Sequence, residues 1–99
     1  MPSIDDQTWR EVCKIQDALV KLYNQFHEVD PTIRLNWSVM PAVGTLFLTF
    51  YALDGKTKIR LDDRADWEYA GERREETYNT MVKKIQEWKR RYGLLTEQH

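Results

Sequence analysis

From Thr32 to Leu61 apolar and polar positions alternate with a period of two, and on both sides of that region the period lengthens to that of a helix. The first helical stretch is predicted over residues 6–27, with Asp5, Asp6 and Thr8 as candidate N-caps and Asp30-Pro31 beyond its end. At roughly 100° per residue its apolar positions, from Trp9 to Phe26, spread over an arc of about 220°. A helix packed on one side needs an arc only somewhat above about 100°. This helix is therefore expected to meet more than one neighbour: a sheet and a second helix, or a sheet and another subunit.

Residues 32–40 put Ile33, Leu35, Trp37 and Val39 on one side and Arg34, Asn36 and Ser38 on the other, the pattern of a strand with one buried face. Pro41-Ala42-Val43-Gly44 reads as a short connection to a second strand over 45–53. Asp54-Gly55 then reads as a two-residue type I′ turn into a third strand over 56–61. That turn sets the register: Leu53 opposite Lys56, Tyr51 opposite Lys58, Thr49 opposite Arg60 and Leu48 opposite Leu61. Residues 62–71 are left as an acidic connection, and a second helix is predicted over 72–92, with Gly93 as its C′ residue. Its stripe of Tyr78, Met81, Val82, Ile85, Trp88 and Tyr92 is about 140° wide, one ordinary packing face.

The predicted fold is thus α+β: a two-layer sandwich of order α-β-β-β-α, with a three-stranded antiparallel sheet and both helices on one face. Residues 1–99 form one domain. The other sheet face has nothing in the chain left to cover it, and that face is the candidate site. Arg34, Phe47, Tyr51, Lys58 and Arg60 fall on it, and Asp54, in the turn, is the only acid between Thr32 and Leu61. Aromatic and arginine side chains are common anchors of protein interfaces. A basic sheet with aromatics can also stack bases while its cations meet phosphates. The plain alternative is a solvated face whose charges guard against edge pairing. Trp67, in the connection beside Tyr69, is the candidate exposed anchor, whereas Trp9, Trp37 and Trp88 lie on predicted core stripes.

Composition narrows the choice. Fifteen basic residues against sixteen acidic give a net charge of −1, so no global field draws nucleic acid or an anionic membrane. One cysteine, Cys13, excludes an internal disulfide and fits a reducing, cytoplasmic setting. The first residues lack the basic head and apolar run of a signal peptide, and no apolar run is long enough to span a bilayer. His27 and His99 with one cysteine make no transition-metal set. Cys13, on the apolar arc, is expected to be a buried inert thiol.

Asp62-Asp63-Arg64-Ala65-Asp66 resembles the magnesium-binding DDxxD string of prenyl-chain synthases, which house it in a large all-helical cavity; in this chain coincidence is expected. The αβββα order resembles that of double-stranded RNA-binding domains, in topology alone. Where those domains place a basic cluster at the start of the second helix, this chain has Glu72-Arg73-Arg74-Glu75-Glu76. The expectation is a non-enzymatic protein-binding module of adaptor, inhibitor or immunity type, with no cofactor, metal or catalytic residue. It would dimerise through the first helix and meet a protein partner, with an acidic surface, through the sheet face and Trp67. Nucleic-acid binding by the basic sheet face is the alternative.

Overall fold

The computed structural model describes residues 5–53, 60–92 and 94 of the 99-residue chain. Five elements follow in the order α1 (Asp6–Val29), β1 (Arg34–Met40), β2 (Thr45–Leu53), β3 (Arg60–Trp67) and α2 (Arg74–Arg91). The strands form one antiparallel sheet in the order β1-β2-β3, with the helices packed against it.

Both ends of α1 and the β1–β2 connection have local causes. Asp5 caps α1 by accepting a hydrogen bond from the Thr8 amide at 2.7 Å. That bond, the hydroxyl of Thr8 and the distant charge of Arg74 hold the Asp5 carboxyl below its usual range. At the far end, Asp30 donates its amide to the Phe26 carbonyl, and its carboxylate accepts from the Thr32 amide and hydroxyl. This Asx turn stops the helix and launches β1. The 41–44 connection closes with Gly44 at φ +64°, the left-handed conformation glycine adopts without strain.

The core sits between the inner sheet face and the helices. Val12, Leu19, Leu22 and Phe26 come from α1, Leu46, Leu48, Phe50 and Ala52 from β2, and Met81 and Trp88 from α2. Trp88 stacks on Phe50 with centroids 4.8 Å apart and rings 9° from parallel, and Phe26 lies 5.1 Å from the same ring. Arg74, at the start of α2, meets Thr8 and Glu11 near the start of α1, while Tyr92 meets Phe26 near its end. The two helices therefore run in the same direction.

β3 departs from its expected place. Leu53 pairs with Arg60, Thr49 with Arg64 and Leu46 with Trp67, so the register is offset by four residues and the strand extends through the supposed acidic connection. The Asp54-Gly55 turn and Lys58 lie outside the described residues. An offset of four preserves which residues face inward, because the strand period is two. What it gains is burial: Trp67 and the following Tyr69 are 2% and 1% exposed. Each such ring sequesters on the order of 150–250 Å², a non-local reward that a turn dipeptide cannot register. Trp9 is also displaced from the predicted core, at 43% exposed. Thr8, one residue earlier and so about 100° away around the helix, takes the inward position of the first turn.

Candidate functional site

The outer face of the sheet is built as three cross-strand rows. Arg34, Tyr51 and Asp62 make the first, Asn36, Thr49 and Arg64 the second, and Ser38, Phe47 and Asp66 the third. Strand alternation puts these side chains opposite the core, and no described element covers them. The two aromatics sit in the central strand, half-buried by their neighbours. The Arg64 guanidinium lies 5.3 Å from the centre of the Phe47 ring and grips Asp66 with two hydrogen bonds, Nε to Oδ1 at 3.0 Å and Nη2 to Oδ2 at 2.9 Å. Phe47 and Arg64 thus form one preorganised unit, held flat by a bidentate carboxylate.

Two sequence expectations change here. The face is not acid-free: with β3 in its observed register, Asp62 and Asp66 share it with Arg34 and Arg64, and the described charges balance. Trp67 is no exposed anchor. Its ring is in the core, its Nε1 donates to the Arg74 carbonyl at 3.1 Å, and the Arg74 guanidinium lies 5.9 Å from the ring centre. Arg34, Phe47 and Tyr51 do come together on the outer face, while Arg60 pairs with Leu53 at the end of the ladder. Arg64, Asp62 and Asp66 are the face residues that sequence reasoning missed.

The same strand dismantles the DDxxD string. Asp62 and Asp66 project outward about 13 Å apart, four residues at roughly 3.3 Å each, with Arg64 between them. Asp63 points to the helix side, where its Oδ2 accepts from Trp88 Nε1 at 3.0 Å and from Lys84 Nζ at 3.3 Å. Burial draws the Asp63 carboxyl upward, but the bonds from Trp88, the Arg64 amide and Lys84 together outweigh it and hold it below its usual range. Among the described residues no group of three or more His, Cys, Asp or Glu could hold a metal ion. Cys13 is half-buried on α1.

A second recess lies between the helices. At their N-terminal ends a cavity of about 710 Å³ is walled by Glu11, Lys14, Glu72, Arg74, Glu75 and Tyr78 over Trp67. Further along, a cavity of about 190 Å³ is apolar, with Ile15, Ala18, Leu22, Tyr78, Val82 and Ile85 among its walls. No helix among the described residues is long and apolar enough to cross a membrane. The chain is significantly similar to no family model, no curated protein and no solved structure with which it was compared.

Proposed function

We propose that this chain is a small non-enzymatic protein-binding module, of adaptor, inhibitor or immunity type, which also self-associates as a homodimer through its helices. The outer sheet face carries this reading: Phe47 and Tyr51 in the central strand, Arg34 and Arg64 beside them, and no described element above. Aromatic side chains bury large area with few torsions to freeze, and arginine adds a planar head with several donors, so the two types are enriched among interface anchors. The carboxylates of Asp62 and Asp66 alter the partner expected. A uniformly acidic surface would meet them as well as the arginines, so the complement is a protein surface carrying both signs. They also stand against phosphates, which weighs against nucleic acid as the ligand of this face. A cytoplasmic setting accompanies this reading, on the strength of the single cysteine.

The test is affinity capture from the native host with three baits: the wild-type chain, Phe47→Ala and Arg64→Glu. A discrete protein retained by the first and lost by both variants is the expected result. Equal capture by all three would remove the outer face from the account.

A further inference from the structure

We infer that two copies of this chain pair through the helix layer, with their α2 helices antiparallel about a two-fold axis that crosses at Val82. The inference rests on reading the chain as a contact protein, and specifies the surface and geometry of its self-association. Three observations carry it.

The first is an apolar strip that the fold leaves open. Ala18 of α1 is exposed, Tyr78 of α2 is 38% exposed, and with Ile15, Val82 and Ile85 they line the cavity between the helices. Because the helices run in the same direction, Ala18 and Val82 lie near the same level. Both are small, so another helix layer can approach closely there.

The second is a charge gradient along α2. Glu72, Glu75 and Glu76 stand at its N-terminal end, where Arg73 is paired with Glu68 and Glu76 and Arg74 with Glu11. Lys89, Arg90 and Arg91 stand at its C-terminal end. Glu75, Val82 and Lys89 are seven residues apart, which places all three on one stripe with Val82 at its midpoint. At about 1.5 Å per residue each charge lies roughly 10 Å from that midpoint. Neither Glu75 nor Lys89 takes part in an ion pair among the described residues.

The third is what symmetry does with that gradient. In a two-fold contact residue i meets j and j meets i. An axis lying across the helices at Val82 brings Glu75 to Lys89 of the second copy and, by symmetry, Lys89 to Glu75 of the second copy. Tyr78 then faces Gln86, and Val82 faces its own counterpart. Lys89 of the second copy enters the N-terminal cavity between Glu72 and Glu75, beside the Tyr78 ring. Turning the second copy so that the helices run parallel sets Glu75 against Glu75 and Lys89 against Lys89. Glu11, already paired with Arg74, offers neither a new partner, so the antiparallel arrangement has the better charge complementarity. The outer edge of α1, with Lys14, Asp17 and Lys21, is mixed and does not choose between the two.

Sedimentation equilibrium of the full chain tests this, with circular dichroism to confirm that each variant is folded. A reversible dimer is expected, weakened about tenfold or more by Glu75→Lys or by Lys89→Glu, since each reversal breaks two symmetric pairs. The double variant Glu75→Lys/Lys89→Glu should dimerise like the wild type. In a Cys13→Ser background, Val82→Cys should form a disulfide-linked dimer with added diamide. A monomer up to high micromolar concentration overturns the inference, and so does a dimer indifferent to both single reversals or not restored in the double variant. Phe47→Ala should leave the dimer unchanged, which separates this result from the fate of the sheet face.

Discussion

Replacing Gly44 with alanine tests how the β1–β2 connection is locked to the segment that follows β3. Gly44 is buried at φ +64°, and a Cβ built on it would stand well inside van der Waals contact with the Cβ of Ala70. Ala70 also donates its amide to the Gly44 carbonyl at 3.3 Å. Two costs follow. An alanine in the left-handed region costs roughly 1–2 kcal/mol. The methyl of Ala70 can move only with its backbone, so relief of the clash breaks that hydrogen bond, at about 0.5–1.5 kcal/mol. The expected loss is about 2–3 kcal/mol, which for a chain of this size lowers Tm by roughly 10–20 °C. Urea unfolding followed by the fluorescence of the four tryptophans measures it. Ala70→Gly in the same chain should recover the steric share, about 1 kcal/mol, and leave the conformational share in place. A Gly44→Ala variant within about 0.5 kcal/mol of wild type, or no coupling with Ala70→Gly, refutes this reasoning.

Two further outcomes concern Tyr69 and Asp63. The Tyr69 hydroxyl is buried without a hydrogen-bond partner among the described residues, and burial pushes its phenol above the usual range. Tyr69→Phe should therefore be neutral or stabilising by up to about 1 kcal/mol; a loss above about 1 kcal/mol in urea unfolding would reveal a partner for that hydroxyl. Asp63 has a folded pKa below its ordinary 3.8, so its contribution is complete above that value and is lost as pH falls through the lower, folded one. Urea midpoints measured from about pH 5 down to about pH 2 should fall less steeply in Asp63→Asn than in wild type; parallel acid limbs would contradict the hydrogen bonds drawn to that carboxylate.

Much of the architecture was legible because it is local. The bounds of β2 are those its alternation predicts, and Pro41 to Gly44 connects β1 to it as read. A third strand antiparallel to β2 was legible too, but its bounds and register were not, and the reason lies in one residue. Ala65, Trp67 and Tyr69 keep the inward alternation going, but Asp63 interrupts it. Its carboxylate is acceptable there because Trp88 and Lys84, 25 and 21 residues later, bring donors to it. Nothing near Asp63 in the sequence signals that arrangement, so the strongest nearby signal, Asp54-Gly55, set the wrong register. The error carried into the candidate site. It left Asp62, Arg64 and Asp66 off the outer face and made Trp67 an exposed anchor. Arg34, Phe47 and Tyr51 were placed correctly because their strands depend on alternation alone.

The outer face as a protein-contact surface is the central claim, and a photo-crosslinking amino acid at Asn36 tests it most directly. Asn36 is exposed in the middle row, beside Thr49 and Arg64, and takes no part in the core. In the native host the probe at Asn36 should yield a discrete cross-linked product with another protein, whereas the same probe at Thr80, on the exposed side of α2, should not. Absence of any product at Asn36, or the same product from both positions, would contradict the claim.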